Sequence, residues 1–162
     1  MDDACSVVHV AAKPRAITVA IGINAPPWAV WNVLADWRAF SRWNPFILRA
    51  EGNLEAGSQV RMRVRLHDGM HINIRPMLLS VRPPEEIRWM GKLPVPGLVD
   101  GEHTLSILPL EKNRVCFVQH EIYRGILVPV LWFRLKQDAV QGFSAMNAAL
   151  KSRAEGLLLV AA

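Results

Sequence analysis

Residues 131–157 read LWFRLKQDAVQGFSAMNAALKSRAEGL, and their period decides the fold. Leu131, Leu135, Ala139, Phe143, Met146, Leu150, Ala154 and Leu157 step by three or four, which places them on one stripe of an α-helix. The spacing therefore predicts one long amphipathic C-terminal helix beginning after Pro129. Gly142, inside it, costs about 1 kcal/mol relative to alanine, so it marks a bend or a close approach to a neighbouring sheet.

Upstream, from Phe46 to Gly125, the period changes to two, with turn signals at Glu51-Gly52-Asn53, His67-Asp68-Gly69, Pro83-Pro84, Pro94-Val95-Pro96-Gly97 and Glu111-Lys112-Asn113. This is an antiparallel meander. In its clearest hairpin Val60, Met62, Val64 and Leu66 alternate with Arg61, Arg63 and Arg65, and Met70, Ile72 and Ile74 alternate with His71, Asn73 and Arg75. A two-residue Asp68-Gly69 turn would mix the two faces. A three-residue loop with Gly69 left-handed keeps them pure and pairs Leu66 with Met70.

Nearer the start, residues 16–23 (AITVAIGI) read as the first strand, while residues 1–15 show no clean period and are expected to be a loose lead-in. Pro26 and Pro27 suit the first turn of a short helix ending near Asp36, and Trp37 to Trp43 form a second, closed by Asn44-Pro45. The expected architecture is α+β: a curved antiparallel sheet of about seven strands wrapped on the long helix, with two short helices after the first strand. That helix is the only element long enough to cover the apolar face of the sheet.

The chain has 162 residues, 51% hydrophobic and 20% charged, which suits one globular core and excludes a disordered or coiled-coil chain. The longest apolar run, Ile126 to Phe133, contains Pro129 and falls well short of the roughly 20 residues of a membrane span, so no stable membrane insertion is expected. Asp2 and Asp3 open the chain where a signal peptide would carry cations. Cys5 and Cys116 are too few for a disulfide framework and suit a reducing compartment, so the expectation is a cytoplasmic protein. A net charge of +5 favours anionic partners without identifying one. The stripe Arg61, Arg63, Arg65, His71 and Arg75 reads as a solvated outer face, without the interleaved aromatics a nucleic-acid surface would use. No nucleic-acid partner is expected. No metal or cofactor site is expected either, since no ligand set converges around His67 and His71 and no phosphate loop is visible.

The run Ile23-Asn24-Ala25-Pro26-Pro27-Trp28-Ala29-Val30-Trp31, followed by Trp43-Asn44-Pro45-Phe46, resembles the START-like or SRPBCC superfamily, which includes polyketide cyclase-like and birch-pollen-allergen-like proteins. Trp89-Met90-Gly91, Gly101-Glu102-His103, Glu121-Ile122-Tyr123-Arg124-Gly125 and Met146-Asn147-Ala148-Ala149-Leu150-Lys151 are similar to its bacterial branch. The resemblance spans about residues 16–158 and implies one helix-grip domain with a hydrophobic cavity between sheet and long helix. It implies a small hydrophobic ligand of lipid, polyketide or aromatic type, bound by a monomer or homodimer, and by family position it points to Trp43 and Trp89 as ligand contacts.

Within that frame the candidate acid/base residues are His103, Glu121 and Tyr123. His103 shares a strand face with Leu105 and Ile107, and Glu121 shares one with Phe117, Gln119 and Tyr123. If those faces point inward, Glu121 gains a raised pKa and can accept a proton, with His103 or Tyr123 as donor, as an aldol-type cyclase needs. The alternative is that both are satisfied polar residues at a cavity rim, or that Arg88 or Arg124 neutralises Glu121. The remaining expected ligand contacts are Phe46 in the Asn-Pro motif, Phe117 and Gln119, and the helix residues Phe143, Met146 and Leu150 as the cavity roof.

Overall fold

The structure, a computed structural model, describes residues 5–92, 95–111 and 113–161, with side chains described as far as 158. Asp2, Asp3, Pro94 and Lys112 lie outside the described residues, and with them part of the N-terminal and turn expectations.

Among the described residues nine strands form two antiparallel sheets. They are β1 (Val7–Ala12), β2 (Arg15–Ile23), β3 (Ile47–Glu51), β4 (Arg61–Arg65), β5 (His71–Ile74), β6 (Met77–Arg82), β7 (Glu86–Lys92), β8 (Asp100–Pro109) and β9 (Val115–Arg124). The larger sheet has the order β1-β2-β9-β8-β7-β6, and β3-β4-β5 make the smaller one. Helix α1 (Pro27–Ala35), a 3-10 turn at Trp37–Ala39 and α2 (Phe40–Trp43) follow β2, and α3 (Val128–Ala161) closes the chain. This is the α+β helix-grip arrangement: the large sheet curves around α3, and buried residues of both sheets and of the helices join in one core cluster.

The local reasons are those of the sequence. Proline at the first helical position of α1 lacks only an N–H that would be unpaired there, and the Ala29 N–H bonds the Pro26 carbonyl at 3.0 Å. At the exit of α2 the Asn44 side-chain oxygen accepts the N–H groups of Phe46 (3.0 Å) and Ile47 (2.9 Å), locking the turn into β3. The β4–β5 hairpin takes the three-residue loop: Gly69 has φ +82°, Leu66 N–H donates to the Met70 carbonyl at 2.8 Å, and Val64 pairs with Ile72. On α3, Ala139, Phe143, Met146, Leu150 and Ala154 are buried as expected, but Leu157 is half exposed. Gly142 marks a close approach: a methyl group there would collide with the Phe46 ring.

Three expectations are corrected. Residues 7–12 are an edge strand, pairing from Val7 with Ala20 to Ala12 with Arg15; nearly all of β1 is exposed on both faces, so it carries no alternation to read. Among the described residues the strands number nine in two sheets, where about seven in one were expected, because β1 adds to one edge and β3-β4-β5 separate from the rest. Cys5 and Cys116, expected as free thiols, form a disulfide. They are 111 residues apart in sequence and 5.8 Å apart at Cα, a proximity created by β2 pairing with both β1 and β9. Two unpaired thiols therefore no longer speak for a reducing compartment. Among the described residues no helix is long and apolar enough to cross a membrane.

Candidate functional site

A cavity of about 150 Å³ lies between the small sheet, the strands β7 to β9 and the first half of α3. One wall is the inward face of the β3-β4-β5 sheet, with Ile47, Met62, Val64, Ile72 and Ile74, and Leu66 at its edge. The opposite wall carries Trp89, His103, Glu121 and Tyr123, and α3 contributes Leu135, Asp138 and Ala139. The lining is mostly apolar, with polar groups gathered on the β8–β9 wall. Their neighbourhood follows from register, since His103 pairs directly with Glu121 and alternate residues share a face.

The polar residues form a chain whose orientation can be worked out from one end. Backbone carbonyls only accept, so the Asn147 side-chain nitrogen, 3.2 Å from the Val19 oxygen, must donate there, leaving its oxygen to face Gln119. Gln119 Nε2 donates to that oxygen at 2.8 Å and to the Phe143 carbonyl at 3.4 Å. Gln119 Oε1 is then the acceptor that meets His103 Nε2 at 3.0 Å, so His103 carries its proton on Nε2 and a lone pair on Nδ1. Burial, larger than the opposing Gln119 bond, holds the His103 pKa down to about 3. His103 is neutral, packed between Trp89 (4.6 Å between ring centroids) and Phe143 (4.5 Å).

Glu121 stands beside His103. Its Oε2 is 4.0 Å from His103 Nδ1, and the Tyr123 hydroxyl donates to the same oxygen at 2.6 Å. Burial raises the Glu121 pKa to about 7 despite the tyrosine bond, while burial and the adjacent carboxylate push the Tyr123 hydroxyl well above its ordinary value. With a neutral imidazole and a half-protonated carboxyl, the 4.0 Å contact is neither a hydrogen bond nor an ion pair. Gly101, paired with Tyr123, makes room for Glu121: a methyl group there would come within 2.5 Å of Glu121 Oε1. Arg88 and Arg124, weighed as partners of Glu121, both reach Glu102 instead, at 3.5 and 3.4 Å.

Of the expected ligand contacts, Phe46, Trp89, His103, Glu121 and Tyr123 come together at this cavity. Gln119 is one step behind it, orienting His103, and Phe143 packs on the imidazole without lining the cavity. Phe117, Met146 and Leu150 are fully buried in the filled core and do not line the cavity, because the half of α3 beyond Gly142 lies directly on the strands. The expected roof is therefore one helical turn or more nearer the N-terminus of α3. Trp43 is away from the cavity, edge-on to Phe40 at 5.2 Å, and its indole N–H has no partner among the described residues. His103 is also not the proton donor the sequence allowed, since its one proton is committed to Gln119.

Sequence reasoning missed Asp138 and the small-sheet wall. Asp138 accepts from the His67 backbone N–H (2.8 Å) and lies 2.5 Å from His67 Nδ1, while Arg134 reaches Asp68 at 2.7 Å, so the hairpin tip is latched to α3 beside the cavity. The apolar face of Met62, Val64 and Leu66 was a visible signal; that it faces empty space was not.

Residues 14–155 match the family model described as polyketide cyclase / dehydrase and lipid transport. Among solved structures, a START superfamily protein from Mycobacterium smegmatis is similar at 20% identity with TM-score 0.70, over 88% of this chain and 98% of that one. Protein Ms6760 from the same organism is similar at 16% identity with TM-score 0.69, over 96% and 98%. The di-domain ARO/CYC BexL from the BE-7585A biosynthetic pathway is similar at 13% identity with TM-score 0.62, over 87% of this chain and 48% of that one. No curated protein is significantly similar in sequence. With a family match over most of its length, the chain belongs to the polyketide cyclase / dehydrase and lipid transport family, and its fold is the helix-grip fold of a START superfamily protein.

Proposed function

We propose that the cavity binds a small apolar molecule carrying one hydroxyl or carbonyl group, held between Trp89 and the small sheet with its polar end at Glu121 and His103. The observation that carries this reading is the pair Glu121 and His103, which both line a mostly apolar pocket with Oε2 and Nδ1 4.0 Å apart and not bonded to each other, so that one ligand atom beside them can reach both. A ligand hydroxyl there can donate to the imidazole lone pair, and a ligand carbonyl can accept from the protonated Glu121. A volume of about 150 Å³ suits a single ring or the end of a longer molecule. Trp89 in the lining gives the readout. Titrating p-cresol and toluene against tryptophan fluorescence should give saturable binding of both, with p-cresol about tenfold tighter through its one added hydrogen bond. Absence of saturable binding by either, or unchanged binding when Ala139→Phe fills the space, overturns the reading.

A second reading is an acid/base enzyme of the aldol-cyclase type, favoured by a cavity-facing carboxyl whose pKa is raised to about 7 beside a phenol that stays protonated. Glu121 would take the proton next to a substrate carbonyl, and Tyr123 would hold the carboxylate in place. Aldol cyclisation of a poly-β-keto model substrate should then follow the ionised fraction of Glu121 and vanish in Glu121→Gln; equal rates in that variant exclude it.

A further inference from the structure

Three elements meet at one side of the cavity: the β4–β5 hairpin tip at Leu66, the β7–β8 connection at Lys92 and Val99, and α3 at Leu135 and Asp138. The outer sides of these elements are apolar and uncovered. Met70 is 57% exposed on the hairpin tip and Val95 56% in the connection, while Ile126, Val130 and Phe133 are 74%, 80% and 67% exposed at the start of α3. They belong to one rim, because the Ile126 and Leu127 N–H groups bond the Gly97 and Leu98 carbonyls at 3.0 and 3.1 Å, and the Arg134 and Asp138 bridges bring the hairpin tip to the helix. Val130 and Phe133, three residues apart, share a face of α3.

The charge around this rim has one sign in excess. Of its acids, Asp68 pairs with Arg134, Asp138 lies against His67 and Arg134, and Glu102 pairs with Arg88 and Arg124, while Asp100 bonds the Gly97 N–H and keeps its charge. Lys136 lies over the Phe133 ring at 5.4 Å, and Lys92 is exposed at the end of β7. Exposed aliphatic and aromatic tips beside lysine ammonium groups suit the headgroup boundary of a bilayer, where apolar tips enter and cations meet phosphate. A second copy of the chain fits less well, since pairing this patch with itself would bring the same cations together on chains that each carry +5.

We propose that the rim formed by Met70, Val95, Ile126, Val130 and Phe133, with Lys92 and Lys136, is a peripheral docking surface for an anionic lipid bilayer. The proposal goes beyond what the cavity holds, and vesicle binding can be read with the cavity empty, so its failure and that of the p-cresol titration are separate results.

The test is sedimentation of the protein with vesicles of phosphatidylcholine alone and of phosphatidylcholine with phosphatidylglycerol in equal parts. Wild type should bind the anionic vesicles at least ~10-fold more tightly than the zwitterionic ones, and more weakly as salt rises. The double variant Val130→Asp/Phe133→Asp should lose ~10-fold or more of that binding while its unfolding midpoint is unchanged, both sites being exposed. Leu108→Asp, an exposed apolar site near the far end of β8, should bind as wild type. Wild type that stays in the supernatant with both vesicles overturns the proposal, as does a double variant that binds like wild type. So does a wild-type dimer that the double variant converts to monomer without vesicle binding, which would make the patch an interface between copies.

Discussion

The two halves of α3 carry the same kind of apolar stripe and do different work. Beyond Gly142 the helix is seated on the sheet, with Phe143, Met146 and Leu150 fully buried and Asn147 bonded to the Val19 carbonyl. Before Gly142 only Ala139 and Val128 are buried, Leu135 faces the cavity, and Val130 and Phe133 face outward. The closely packed half supplies stability, and the half that stands off the sheet encloses space. Gly142 is the pivot, because the missing side chain lets the Phe46 ring wedge against the helix where the cavity begins.

The largest expected effect comes from truncating the packed half. Phe143→Ala should cost about 3–5 kcal/mol in chemical denaturation, since the ring is fully buried and packs against both His103 and Phe46. Leu135→Ala, at the cavity, should cost about 1 kcal/mol or less, because its side chain already borders empty space and solvent. Equal losses at the two sites would break the contrast between the halves.

The two buried titrating groups sharpen it through pH. Glu121, raised from 4.5 to about 7, binds more protons folded than unfolded, so its contribution is complete below pH 4.5 and lost as pH rises through about 7. The loss is up to about 3 kcal/mol. His103, lowered from 6.5 to about 3, acts oppositely, and stability is lost as pH falls from 6.5 through about 3. Between pH 4.5 and 6.5 the slopes cancel, so unfolding free energy should be flat there and fall on both sides. Glu121→Gln should remove the alkaline fall and leave the acid one; a variant that still loses stability between pH 6.5 and 8 would show that Glu121 is not the group responsible.

Gly142→Ala tests the pivot. On helix propensity alone alanine gains about 1 kcal/mol, but its methyl group meets the Phe46 ring. Displacing a ring wedged in the core costs about 1–3 kcal/mol, so the net change should be a modest destabilisation accompanied by altered p-cresol affinity as Phe46 moves in the cavity lining. A more stable variant with unchanged affinity would show that the helix can shift away without cost.

Much of this was legible in the sequence, and what was not has physical reasons. The hairpin register follows from two pure faces and one glycine with positive φ, and His103, Glu121 and Tyr123 meet because alternate residues on paired strands must share a face. The stripe on α3 could not reveal where roof gives way to floor, since Leu135 and Met146 occupy equivalent helical positions; only the curvature of the sheet separates them. Edge strand β1 was invisible because nothing covers either of its faces, and the Cys5–Cys116 bond because it joins chain segments that only the sheet order brings together. Asp138 reads in sequence as one more solvated acid, and its role appears only when the hairpin tip arrives beside it.

That tip gives the smallest effect expected and the one most closely tied to ligand entry. The small sheet walls the cavity, yet its β4–β5 hairpin reaches α3 through Asp138 with His67 and Arg134 with Asp68. The Arg134 pair is exposed and worth little; the Asp138 contacts are more sheltered and include a backbone N–H. Asp138→Asn keeps the shape and an acceptor for the His67 N–H while removing the charge, so it should cost about 0.5–1 kcal/mol of global stability. Its larger consequence is local, because a hairpin less firmly held opens more often without unfolding the core. Dissociation of p-cresol, followed by stopped-flow tryptophan fluorescence, should therefore speed up several-fold in Asp138→Asn, with amide hydrogen exchange faster in Arg65 to His71 and unchanged in β8 and β9. Unchanged dissociation with faster hairpin exchange would place the route of entry elsewhere on the rim, between α3 and the β7–β8 connection.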